Sequence, residues 1–134
     1  MYSEVKNVIY KIYYLLDEEK SIVYDEYTSA IMQYKLRKID EVLQFEIRRL
    51  AHLLNKSFYK DLPRKFLIFK RKIKVELVSS TLVIILPRDD DVLQSGDRYY
   101  ENVYRPLLKY LRMLKLDVET YFETNIVIQA KKIV

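Results

Sequence analysis

Over residues 24–54 the apolar side chains Met32, Leu36, Ile39, Leu43, Ile47, Leu50 and Leu54 step by three and four without a break. That period puts them on one face of an α-helix. At a rise of about 1.5 Å per residue the helix is about 45 Å long, and everything else in a 134-residue chain has to be arranged around it. Ile31, Val42 and Phe45 widen its apolar face. One short helix cannot cover that width, so the long helix is expected to pack against a first helix and a sheet, or against a second copy of the chain. A homodimer through this helix and an intrachain helical hairpin both remain open at this point.

Before it, Val5, Ile9, Ile12 and Leu16 recur at helical spacing behind Ser3, which predicts a first helix ending near Leu16 and a polar connector over 17–21. After Asn55 the period changes. Residues 58–63 read as a loop and 66–69 as the start of a strand. Over 72–78, Ile73, Val75 and Leu77 alternate with Lys72, Lys74 and Glu76, the pattern of a half-buried strand. Ser79 and Ser80 form a turn. The wholly apolar run 82–86 predicts a central strand buried on both faces and ended by Pro87. Residues 89–96 read as a loop. Helical spacing returns near Asp97 with Val103, Leu107, Leu108, Leu111 and Leu114, and Pro106 either starts or kinks that helix. Two more strands are expected over 116–122 and 125–133. The fold class is therefore α+β: two N-terminal helices, the second long, packed on a small, mainly antiparallel sheet with one further helix. The chain is expected to be a single domain, helical over 1–55 and strand-strand-helix-strand-strand over 56–134.

Composition removes several function classes. There is no cysteine, so no thiolate nucleophile and no cysteine-built metal site. Gly96 is the only glycine, which excludes the glycine-rich loops that cradle phosphates. His52 is the only histidine, so a histidine metal cluster or a Ser-His-Asp arrangement has little to draw on. Asp89, Asp90 and Asp91 could offer oxygen ligands to a hard cation, but three carboxylates in one loop are expected to stay solvated. No enzyme, cofactor or metal is inferred. No apolar run approaches the roughly 20 residues of a membrane span, and the expected location is cytoplasmic. Abundant Lys, Glu, Ile and Tyr give the chain a thermophile-like composition.

The net charge of +5 is unevenly placed. Residues 1–55 carry eight basic against nine acidic side chains, and 75–134 the same. Residues 56–74 carry Lys56, Lys60, Arg64, Lys65, Lys70, Arg71, Lys72 and Lys74 against Asp61 alone. Such clustering is the footprint of a polyanion binder. On an extended segment Lys70, Lys72 and Lys74 would form a rail at intervals of about 6.6 Å, suited to successive phosphates. Phe58, Tyr59, Phe66 and Phe69 lie among these cations and could stack on bases. Arg37, Lys38, Arg48 and Arg49 add positive charge on the long helix; for Arg49 an intrahelical pair with Glu46 is expected. The sequence thus predicts a non-enzymatic nucleic-acid-binding protein, for DNA or RNA, with Tyr59 and the eight cations as contacts. The alternative is an assembly subunit that docks a protein through the long helix.

The stretches LVIILPRDDD, RPLLKYLRMLKLDVE and TNIVIQAKKIV, spanning 82–134, resemble the middle of lipoate-protein ligases, where a strand, a helix and an NDxxVxGxKI hairpin follow in that order. The resemblance implies that Lys132 matches that family's active-site lysine. The family's RRxTGGG loop is absent and Ala130 stands for its glycine. What the resemblance implies is accordingly a degenerate domain of that type without catalysis.

Overall fold

The computed structural model describes residues 2–23, 29–58, 72–88 and 104–132. They form α1 (Tyr2–Val23), α2 (Ala30–Phe58), β1 (Lys74–Val78), β2 (Thr81–Arg88), α3 (Arg105–Phe122) and β3 (Ile126–Lys132). The expected α+β architecture is present, with two N-terminal helices, the second long, and one further helix beside a small sheet. The chain divides into two compact units, residues 1–50 and 51–134, and α2 contributes to both.

In the first unit Val5, Ile9, Ile12 and Leu16 of α1 and Ile39, Leu43 and Ile47 of α2 are buried at the predicted spacing. Each such side chain contributes about 1.5–3 kcal/mol when fully buried. Two ion pairs link the helices, Lys11 with Glu46 at 2.9 Å and Glu4 with Arg49 at 4.0 Å. As residue number rises along α1 it falls along α2, so the two helices run antiparallel. α1 does not stop at Leu16. Glu18, Glu19 and Lys20 are good helix formers and continue it to Val23, and the Ser21 hydroxyl donates to the Glu18 carbonyl at 2.8 Å. At the start of α2, Ser29 acts as N-cap: its Oγ accepts the Met32 N–H at 3.3 Å. The helix runs on to Phe58, four residues past the predicted end.

The second unit holds a three-stranded sheet in the order β1-β2-β3. β1 and β2 pair antiparallel, with Val78 opposite Thr81. Ser79 and Ser80 have φ of 50° and 65°, the two left-handed residues of a hairpin turn whose twist matches that of its strands. β2 is central, and Leu82, Val83, Ile84 and Leu86 are buried as predicted. It extends through Pro87. The pairing of β1 ends at Lys74 opposite Ile85, so beyond that point a missing N–H on the β1 side breaks no ladder.

The strand expected over 116–122 is instead the second half of α3. Leu107, Leu111, Leu114 and Val118 form one continuous buried stripe, and Lys115 and Glu119, four apart, pair at 2.7 Å. Glu123, with φ of 51°, ends the helix in the left-handed conformation common at helix C-termini. β3 therefore has no hairpin partner before it. It crosses back over α3 and pairs with β2 in parallel, Leu82 opposite Ile126. The sheet is mixed rather than mainly antiparallel, with one pairing of each kind. The terminal hairpin implied by the resemblance to lipoate-protein ligases does not form. One face of the sheet carries Val75, Leu77, Leu82, Ile84, Ile126 and Ile128, as the registers require.

Candidate nucleic-acid interface

Of the predicted contact residues, Lys56, Lys72 and Lys74 lie within the described structure; Tyr59, Lys60, Arg64, Lys65, Lys70 and Arg71 lie outside it, as do Phe66, Phe69 and Asp89 to Asp91. Lys56 is in the last turn of α2, where a cation complements the helix dipole. Lys72 and Lys74 bracket Ile73 at the start of β1. Ile73 is buried and its two neighbours are exposed, as strand alternation demands. The two exposed lysines are thus separated by one buried residue where the chain enters β1. Glu76 follows them on the same row and is also exposed.

Asn55 holds this strand end in place. Its Nδ2 donates to the Ala51 carbonyl at 2.8 Å and to the Ile73 carbonyl at 3.0 Å, while its Oδ1 accepts the Ile73 N–H at 2.9 Å. Ile73 directly precedes β1, and by the strand's alternation its backbone groups point away from β2, because Val78, Glu76 and Lys74 take the hydrogen-bonded positions of a two-residue hairpin. The amide of Asn55 supplies both missing partners, as a neighbouring strand would. Lys56 is adjacent to Asn55 and Lys72 to Ile73, so the clasp brings these cations from two distant segments into one neighbourhood. An open groove of about 600 Å³ runs here, lined by Ala51 and Asn55 of α2 and by Lys72 to Glu76.

The half-buried ring of Phe58 meets Tyr110 of α3 edge-on, centroids 5.2 Å apart. Burial pushes the Tyr110 phenol up to about 12. Arg49 pairs with Glu46 at 3.8 Å, as expected, and with Glu4. Lys38 pairs with Glu41, and Arg48 Nε donates to the Gln44 carbonyl.

A second basic surface lies on α3, where Arg105, Lys109 and Arg112 recur at steps of four and three on one side. With Leu108, Met113 and Leu116 they line an open groove of about 480 Å³. At about 100° per residue this side is opposite the buried stripe of Leu107, Leu111, Leu114 and Val118. The ion pairs among the described residues engage none of Lys56, Lys72, Lys74, Lys109 and Arg112. Counting charge by segment hides this helix: residues 75–134 are balanced overall, and only the helical period separates Arg105, Lys109 and Arg112 from the acidic residues Asp117 and Glu119. Among the described residues no helix is long and apolar enough to cross a membrane. No protein-family model, curated protein or solved structure matches the chain.

Proposed function

We propose that the protein binds nucleic acid without catalysing a reaction, and that its second unit makes the phosphate contacts. The observation that carries this reading is the pair Lys72 and Lys74, both exposed where the chain enters β1 and outside every ion pair among the described residues. Their backbone is held by the Asn55 clasp, so the strand presents its charges without first having to be ordered. Lys56 and the α3 stripe of Arg105, Lys109 and Arg112 add cations in the same unit. Contacts of this kind read the phosphate backbone rather than base sequence. They release counterions, so affinity falls steeply with salt.

The test is binding to single- and double-stranded DNA and RNA across a salt gradient, for the native chain and for the Lys72→Glu/Lys74→Glu double variant. Binding that weakens with salt, and a double variant that loses at least about tenfold in affinity with a shallower salt slope by about two phosphate contacts, supports the reading. No binding by the native chain at low salt, or an unchanged slope in the variant, overturns it.

A further inference from the structure

The second unit carries positive charge on two sides that face away from each other. The registers place Val75 and Leu77, Leu82 and Ile84, and Ile126 and Ile128 on one face of the sheet, where Leu82, Ile84 and Ile126 are buried. α3 connects the parallel strands β2 and β3, so it lies over one face or the other. Two observations put it over this one. Its stripe of Leu107, Leu111, Leu114 and Val118 is buried and needs an apolar layer to meet. The backbone of Ile126 turns away from β2 to Glu119 and Lys115 of α3, and in a right-handed crossover a residue turned in this way points its side chain at the helix. Lys74, Glu76 and Val78 alternate with Val75 and Leu77, and they are exposed on the opposite face.

Arg105, Lys109 and Arg112 stand on the side of α3 opposite its buried stripe, and therefore away from the sheet. No acidic residue occurs over 105–116. Lys74, with the exposed Lys72 just before the strand, is separated from these three cations by the sheet and by the full diameter of α3, about 10 Å. From this arrangement, and resting on the nucleic-acid reading above, we infer that the two sides hold two nucleic-acid duplexes at once, so that one copy of the chain bridges them. The phosphates of a duplex complement the charge of both sides. Its stiffness, a persistence length of about 150 base pairs, prevents one short duplex from folding round the unit to reach both. Over 105–113 the cations hold the middle of the outer side of α3, with Leu108 and Met113 at its margins. That order suits a run of phosphates, whereas a helix lying in a membrane surface buries an apolar centre.

The test separates holding one duplex from holding two. Duplex DNA of about 20 base pairs, far shorter than its persistence length, is fixed to beads, loaded with the full chain at low salt, washed, and offered a second, fluorescent duplex of unrelated sequence. The native chain should retain the second duplex, and should release it as salt rises. Lys72→Glu/Lys74→Glu and Lys109→Glu/Arg112→Glu alter one side each, all at exposed positions; the corresponding glutamine variants replace any that lose the native circular-dichroism spectrum. Loaded to the same level as the native chain, each should retain at least about tenfold less of the second duplex. A native chain that loads onto the first duplex and retains no second one overturns the inference and leaves the nucleic-acid reading standing. A folded variant that retains as much as the native chain also overturns it, because the altered side then takes no part and the bridge is made by associated copies. So does a folded variant that loads onto no duplex at low salt, since both sides would then serve a single one. A native chain that fails to load onto the first duplex overturns the nucleic-acid reading, and the inference with it.

Discussion

The side chain of Asn55 takes both backbone hydrogen bonds of Ile73, eighteen residues further along the chain, and so joins the end of α2 to the start of β1. Ile73 is 2 % exposed. Removing the amide leaves its N–H and C=O without these partners in a place water reaches poorly. Asn55→Ala is therefore expected to cost about 1–3 kcal/mol, read as a lowered denaturation midpoint with faster hydrogen exchange at the Ile73 amide. Asn55→Asp should cost a similar amount, since the carboxylate keeps the acceptor but loses the donor to the Ile73 carbonyl. An unchanged midpoint in both variants would mean the clasp contributes nothing net.

The other edge of the sheet is gripped in a related way. Glu119 of α3 accepts the Ile126 N–H at 3.0 Å, and Lys115 donates to the Ile126 carbonyl and, at 3.1 Å, to Asn125 Oδ1. The hydrogen bond from Lys115, with the Ile126 N–H helping, holds the Glu119 carboxyl below its ordinary value. A carboxyl whose folded value is depressed stabilises the fold above the normal glutamate range, and that contribution is lost as pH falls through the folded value. Glu119→Gln should therefore be less stable than the native chain at pH 7, by about 1 kcal/mol or less at this partly exposed site. The two melting curves should converge in acid. A gap that stays constant from neutral to acid pH would show that the charge of Glu119 plays no part.

What the sequence revealed, and what it hid, follows from which interactions are local. The burial of α2 at Ile39, Leu43 and Ile47 and the inward Ile73 with outward Lys72 and Lys74 were readable because a single period fits each run. Residues 116–122 fit two periods. Leu116, Val118 and Thr120 alternate with polar residues as a strand would, while Leu111, Leu114 and Val118 continue a helix. The helix wins because it alone buries that stripe and sets Lys115 beside Glu119. The end of α1 was misread because a polar run resembles a connector, although Glu and Lys are good helix formers. The role of Asn55 had no local signal, since its partner Ile73 is brought to it only by the tertiary fold. The α3 cations left a signal in their spacing that a count of charge by segment averages away.

The hairpin turn is built from two serines at positive φ, a conformation that disfavours L-residues other than asparagine, aspartate and glycine. Ser79→Asn/Ser80→Gly places the preferred pair at these positions. It should raise stability by about 1 kcal/mol. Ser80→Val should lower it, because a β-branched side chain is poorly tolerated there. Urea denaturation of the two variants checks both signs. Equal midpoints would mean that the turn relaxes away from this conformation in solution.

The buried carboxylate of Glu46 makes an unequal pair with Lys11. Glu46 is 1 % exposed and the Lys11 side chain 54 %. The hydrogen bond to Lys11 Nζ at 2.9 Å engages only Oε1, while Oε2 lies 3.8 Å from Arg49 and has no hydrogen-bond donor. Lys11 can leave for water without penalty, whereas Glu46 cannot. Lys11→Met strands a buried negative charge with one distant cation, and is expected to cost about 2 kcal/mol or more. Adding Glu46→Leu removes the stranded charge and fills the space with apolar volume, so the double variant should return to within about 1 kcal/mol of the native chain. The check is a double-mutant cycle by chemical denaturation. A single variant as stable as the native chain, or a double variant as unstable as Lys11→Met, would show that burial of Glu46 is not what makes Lys11 necessary.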